Sequence, residues 1–390
     1  MALLELLKLL AEDQRVEVQL LVLLEQGELI AQLPDGVTLV NRRYHRESVL
    51  ETKGKKWMYT TIIRDLFCRG NLFRLLPYML RALYVMKKNH QVQMDKLLWR
   101  AVADGAQRLS GEYDLAIAFL EGGSAYYVAD HVRARKKAAM IHIDYTKAGY
   151  FRELDRDCYL QYDRIFPIGE NVKTQFLKVY PQLQDRTIVF PNVVNQSCIR
   201  KKARCSGGFT DRFDGIRILT VGRLTEQKAY PVAIKAMRLL KEKGVDARWY
   251  VLGEGPERGK LERLIAQEGL QKEFLLLGAV ENPYPYYAQA DIYVHATRYE
   301  GKSIAIQEAQ TLGCAIVVAE SSAEQVRDGV DGTVCILEAS AVAEAVLDLI
   351  QHPKKRQAYQ KAAAGRKITC EKQLGLLEEL LWEKTSQKNC

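Results

Sequence analysis

The sequence predicts an α/β protein made of two Rossmann-like domains with parallel sheets. Three observations carry that prediction. The chain has 390 residues, more than one core ordinarily serves. Short apolar runs alternate with longer amphipathic stretches along most of its length. An apolar share of 48% and a charged share of 27% are those of a globular chain.

The first half opens in a helical pattern over residues 3–10 and continues into a strand over 16–23. Further strands are expected at 37–40, 115–120, 138–144, 164–168 and 187–194, with helices between them. A doubly wound domain usually opens on a strand, and this chain opens on a helix, so a first strand and its loop are read as missing. Residues 1–200 form the first domain. Between 196 and 214 the composition turns polar and basic, with Ser206-Gly207-Gly208, and residues 201–214 are expected to be a linker. The second domain, 215–370, is more regular. Strands are expected at 216–221, 248–252, 274–277, 292–294, 315–318 and 333–336, and a helix over 231–243 stops at Gly244. A C-terminal helix and tail occupy 371–390.

The eight cysteines are scattered and form no Cys-x-x-Cys pair, which points away from zinc and disulfides and towards a reducing cytoplasm. No signal-peptide pattern and no apolar run of membrane-spanning length is present. The net charge of +9 is concentrated. Residues 53–100 hold eleven basic and two acidic residues, a surplus equal to that of the whole chain. Aromatic residues such as Trp57, Phe73 and Tyr84 are interleaved with them. Such a segment suits an anionic membrane surface or a lipid-linked acceptor; an ordinary helical insertion with a solvated basic face explains it equally. No nucleic-acid-binding motif accompanies the charge.

Two segments of the second domain carry chemistry. Arg223 and Lys228 lie just past the strand 216–221, where ligands of open α/β sheets bind. Glu300 and Glu308 follow the strand 292–294, the first in a loop and the second in a helix. Gly301, Lys302, Ser303 and Ile304 open that helix and offer backbone N–H groups to an anion. Carboxylates for hydroxyls beside cations and amides for phosphate suit a nucleotide sugar. Gly253-Glu254-Gly255-Pro256 reads as a structural turn with proline at the first helical position. Asp155-Arg156-Asp157 resembles a metal-binding D-x-D but is read as a solvated helix face, and no metal site is expected.

Glu300-x7-Glu308, preceded by Gly222-Arg223-x4-Lys228, resembles the motif set of retaining GT-B glycosyltransferases, the glycosyl transferases group 1 family (family 4). The resemblance implies a GT-B fold of two facing Rossmann-like domains, with the C-terminal helix packed back on the first. It implies a cytoplasmic hexosyltransferase that is retaining and metal-independent and uses no cofactor. A nucleoside-diphosphate sugar, UDP-sugar foremost, is the co-substrate. Arg223 and Lys228 inherit pyrophosphate binding, Glu300 the sugar or donor contact, and Glu308 the ribose hydroxyls. The main chain near Val280 meets the base, and His142, at a first-domain strand end, lies near the reacting sugar with Asp144 and Lys147 nearby. The family usually has glycine after the lysine; here it is Ala229. The acceptor implied is a glycan or lipid-linked hydroxyl in polysaccharide biosynthesis, and the basic residues 53–100 suggest an enzyme peripheral on the inner membrane face. Two alternatives stay open: a non-catalytic or truncated GT-B partner subunit, motivated by the missing strand, and a nucleotide-sugar epimerase or phosphorylase.

Overall fold

The computed structural model describes residues 2–47, 52–67, 71–300 and 302–382. The chain divides into two units, Met1–Val193 with Glu371–Cys390, and Val194–Cys370.

In the first unit, β1 (Val18–Leu20) pairs in parallel with β2 (Val37–Leu39). A separate parallel sheet holds β3 (Glu112–Ala118), β4 (Arg133–Ile141) and β5 (Arg164–Pro167) in that order. The strand expected over 187–194 is reduced to two backbone bonds, Ile188 N–H to the Ile165 carbonyl and Phe190 N–H to the Pro167 carbonyl. Pro191 follows and has no N–H with which to continue the ladder. The helix Glu371–Trp382 belongs to this unit, with Gln373 donating to the Pro191 carbonyl at 3.1 Å.

Besides α1 (Ala2–Ala11), the unit carries three helices from the basic stretch: α2 (Thr52–Phe67), α3 (Asn71–Lys88) and α4 (Met94–Gly105). Gly105 lets α2 and α4 touch, because a Cβ there would come within 2.3 Å of the Asp65 carbonyl oxygen. Asn71 joins all three, donating to the Asp65 and Ala101 carbonyls at 2.9 Å each.

α4 is anchored by a buried polar knot. Asp155 is fully buried and not part of a solvated face, which corrects the sequence expectation. Its Oδ1 accepts from Lys96 Nζ at 2.8 Å and the Tyr126 hydroxyl at 2.6 Å. Its Oδ2 accepts from the Tyr180 hydroxyl at 3.0 Å and the Tyr145 hydroxyl at 3.2 Å. The helix that carries it is only Arg152–Asp155, and Arg156 and Asp157 are left-handed, so no long face exists to be solvated. The reason is charge pairing: a buried carboxylate persists where a cation and several donors meet it. Arg100, equally buried, pairs with Asp130 at 2.5 Å.

The second unit contains one parallel six-stranded sheet. Its strands are β6 (Ile216–Val221), β7 (Ala247–Leu252), β8 (Phe274–Gly278), β9 (Ile292–His295), β10 (Ala315–Ala319) and β11 (Gly332–Cys335). The spatial order is β8-β7-β6-β9-β10-β11. Alternate residues feed two cores. Ile218, Trp249, Val251, Ile292 and Val317 pack on one face, and Leu219, Tyr250, Tyr293, Ile316 and Val318 on the other.

The segment 201–214, expected to be a linker, is part of this unit. Residues 196–203 form a helix whose N-cap Asn195 accepts from the Cys198 N–H at 3.0 Å. Asp211 then accepts from Arg248 at 2.7 Å and from the Tyr250 hydroxyl at 2.5 Å. A capped helix and a carboxylate with charged partners hold a composition that alone reads as flexible.

Asp155→Ala leaves Lys96 buried without its counter-ion. It is expected to lower the stability of the first unit by about 3–5 kcal/mol. Denaturant titration followed by circular dichroism checks this, and an unchanged midpoint would remove the knot as a stabilising element.

Candidate functional site

The strand order of the second unit fixes where a ligand can bind. From β6 the chain winds outward through β7 to β8, then returns to β9 on the other side and winds outward again. Between β6 and β9 the crossovers diverge and leave a crevice beyond the carboxyl ends of the strands. The two segments that open onto this crevice follow β6 and β9, and they carry Arg223, Lys228 and Glu300.

Gln227 stitches the two loops together. Its carbonyl accepts from the Arg298 N–H at 2.9 Å and the Thr297 hydroxyl at 3.0 Å. Its side-chain amide donates to the Tyr299 carbonyl at 2.8 Å. Beside it, Lys228 forms an ion pair with Glu300. Glu300 also accepts from His295 Nε2 at 3.1 Å, and the Tyr293 hydroxyl lies 3.0 Å from His295 Nδ1. The row is consistent with one tautomer: Tyr293 O–H donates to Nδ1, and Nε2–H donates to the carboxylate.

Electrostatics agree. Burial would raise the Glu300 carboxyl, but the His295 hydrogen bond and the Lys228 charge outweigh it and bring it down to about 2. Burial lowers His295 from its ordinary value and keeps the ring neutral. His295 and Gln227 are the residues sequence reasoning missed. A histidine at the carboxyl end of a central strand, five residues before the glutamate, was the available signal.

Arg223 is exposed in the loop after β6. Gly253 and Gly255 let neighbouring strand ends meet there. A Cβ on Gly253 would lie 2.0 Å from the Gly222 carbonyl oxygen, and one on Gly255 would lie 2.3 Å from that of Leu224. The Gly253-x-Gly255 turn is therefore a packing device beside the candidate phosphate loop. Ala229 is left-handed, with φ of 45°, at the N-terminus of the helix Tyr230–Glu242. Glycine suits that backbone better.

Glu308 lies in the helix Ile304–Thr311 and is 8% exposed. Its Oε1 accepts from the Tyr284 hydroxyl at 3.2 Å and its Oε2 from that of Tyr287 at 3.1 Å. These two tyrosines, three apart on the helix Tyr284–Gln289, also escaped sequence reasoning. They orient the carboxylate. Val280 packs against the same apolar cluster as Tyr284, Tyr287 and Ile306. Ser303 is the residue before the helix, its side chain makes no capping bond, and Lys302 precedes it. Gly301 lies outside the described residues.

His142 belongs to the first unit, just past β4. Both ring nitrogens are buried without a hydrogen-bond partner among the described residues. Its Nδ1 lies 4.0 Å from Glu121, whose carboxylate accepts the His142 backbone N–H at 3.1 Å. Burial lowers the imidazole from its ordinary value against the opposing pull of Glu121. Lys147 donates its N–H to Asp144, closing a turn. Elsewhere in this unit Asp104, Asp130 and His131 lie close enough to hold a cation. Arg100 and Gln161 engage Asp130, and His131 engages Asp104, so the cluster reads as internal pairing.

Two measurements test the loop geometry. Glu300 is depressed from 4.5 to about 2, so its contribution is full above pH 4.5 and is lost as pH falls through about 2. The gap in unfolding free energy between the wild type and Glu300→Gln is expected to shrink over that window by up to ~3 kcal/mol. A constant gap would mean the carboxylate is not held this way. Ala229→Gly is expected to stabilise the second unit by about 1 kcal/mol by relieving the left-handed alanine. A lower melting temperature would contradict that conformation.

Residues 212–366 match the family described as glycosyl transferases group 1. The N-acetylgalactosamine-N,N'-diacetylbacillosaminyl-diphospho-undecaprenol 4-alpha-N-acetylgalactosaminyltransferase of Campylobacter jejuni is 27% identical over 212 residues, 53% of this chain and 56% of that protein. The putative glycosyltransferase EpsF of Bacillus subtilis is 28% identical over 159 residues, 41% of this chain and 40% of its own length. The chain thus spans about half the length of such relatives, or less. Among solved structures, a glycosyltransferase from Rickettsia africae superposes with a TM-score of 0.62 at 16% identity, covering 98% of this chain and 94% of that one. HepE of Anabaena, solved with UDP and glucose, gives 0.58 at 16% identity, over 74% and 82%. Residues 212–366, within the second unit, thus match the glycosyl transferases group 1 family, and the fold is that of GT-B glycosyltransferases.

Proposed function

We propose that this protein transfers a sugar from a nucleoside-diphosphate sugar to a hydroxyl acceptor with retention of anomeric configuration. The observation that carries the reading is the Lys228–Glu300–His295 row at the sheet's switch point, with Arg223 beside it. The diphosphate of the donor meets Arg223, Lys228 and the N–H groups opening the helix Ile304–Thr311. These groups supply positive charge as the leaving diphosphate develops negative charge, so the chain itself provides the stabilisation without a metal. Glu300, kept ionised, positions Lys228 and accepts from the sugar hydroxyls. Glu308, steadied by Tyr284 and Tyr287, takes the ribose hydroxyls, and the main chain at Val280 meets the base.

The departing diphosphate takes the acceptor proton as the new glycosidic bond forms, so no covalent sugar–enzyme intermediate is required. His142, neutral and with both ring nitrogens unsatisfied, is a donor or acceptor for the reacting sugar. A UDP-sugar is the favoured donor, supported by the UDP bound in the similar HepE. A polyprenyl-diphosphate-linked glycan is the favoured acceptor, supported by the diphospho-undecaprenol in the name of the Campylobacter relative.

The test is release of free nucleoside diphosphate from UDP-, GDP- and ADP-sugars, with and without a lipid-linked acceptor extract. Release from one donor, lost in Glu300→Ala and lowered about 100-fold or more in Arg223→Ala, is the expected outcome. Glu308→Ala should weaken binding of the free diphosphate by on the order of tenfold. Nucleotide binding without release from any donor would favour a non-catalytic subunit over a transferase.

A further inference from the structure

The basic stretch is split by burial into two sets of charges. Lys96 and Arg100 turn inward to Asp155 and Asp130, and Arg64 pairs with Glu25 and Asp65. Arg69 lies outside the described residues. Lys53, Lys55, Lys56, Arg74, Arg81, Lys87 and Lys88 point outward.

What these outward cations flank is apolar. α3 buries Leu75, Tyr78, Ala82 and Met86 and turns Phe73, Leu76, Leu80 and Leu83 outward, with Phe73 79% exposed and Leu80 62%. At 100° per residue those four side chains share one face. Arg74, Arg81 and Lys88, each seven apart, form a ridge along its edge. On α2, Tyr59, Ile63 and Phe67 recur every fourth residue and are also exposed, with Lys55 and Lys56 beside them. Arg156, its guanidinium over the Tyr78 ring, extends the cationic edge beyond α3. No described helix is long and apolar enough to cross a membrane.

We propose that α2 and α3 form a docking face for an anionic lipid bilayer. Phe73, Leu76 and Leu80 enter the headgroup–acyl boundary while the Arg74–Arg81–Lys88 ridge meets lipid phosphates. Charge complementarity selects this occupant. A second copy of the chain would bring like-charged ridges together, and a nucleic acid would leave the aliphatic side chains without an apolar partner. The face lies wholly in the first unit and does not depend on the donor chemistry of the second.

Co-sedimentation of the full chain with vesicles of phosphatidylcholine, alone or mixed with phosphatidylglycerol, tests the proposal. Binding to the anionic vesicles only, weakened by salt, is expected. Replacing Arg74, Arg81 and Lys88 by Gln should weaken it by roughly fivefold per charge, on the order of 100-fold together. Leu76→Ser with Leu80→Ser should weaken it at any salt concentration, and Phe73→Ser alone serves if that pair fails to fold. Nucleotide binding by the second unit should stay unchanged in every variant, which separates this result from the donor reading. Equal binding by variants and wild type would overturn the proposal. So would wild type that ignores anionic vesicles and either oligomerises with concentration or binds nucleic acid.

Discussion

The candidate site depends on one buried carboxylate kept ionised. Glu300 is part-buried, and desolvation alone would push its carboxyl up. It stays charged because Lys228, from the loop after β6, and His295, from the end of β9, reach it from different strands. The ion pair therefore also clamps two loops that the sheet places side by side. Gln227 repeats the clamp through neutral bonds. An anion arriving at Lys228 would meet a cation that Glu300 already positions, so little side-chain entropy would remain to be lost.

The clamp works because of strand order. The backbone distance between the β6 and β9 loops is set by direct pairing of Ile218 with Ile292 and Leu219 with Tyr293. Thr220 reinforces the junction, donating to the Val294 carbonyl at 2.8 Å while it accepts from the buried Trp249 indole at 3.0 Å. The residues that set the site are thus ordinary core residues of a parallel sheet. Glu308, on a helix beyond the sheet, needs its own support, and two tyrosines supply it. The two glutamates that share one sequence motif are held by unrelated means: one by charge, the other by neutral hydroxyl donors.

Much of this was legible in the sequence. All six strands of the second unit announce themselves as apolar runs, because a parallel strand is buried on both faces. The places of Arg223, Lys228, Glu300 and Glu308 after strands are readable in the sequence. His295 is marked only by its place at a strand end, and the roles of Gln227, Tyr284 and Tyr287 are contacts with residues distant in sequence that no local period marks. Residues 201–214 misled for the same reason. Asp211 looks like a flexible-segment aspartate until Arg248 and Tyr250 are folded against it.

The first unit shows why composition cannot be read directly as surface. Eleven basic residues within 53–100 look like one patch, but the ones on α4 are structural ions and the ones on α3 are surface ions. Helical phase separates them. Lys96 and Arg100 lie four apart on the face of α4 that meets Asp155 and Asp130, while Arg74, Arg81 and Lys88 on α3 are exposed. The inward set costs desolvation energy, which the carboxylates and tyrosine hydroxyls offset, and in return it fixes α4 to the core. α3 packs on α4, so the buried charges set the orientation of the exposed ones. A rigid platform of that kind can present an amphipathic face already folded, whereas an isolated helix of this length would first have to form on the surface it binds.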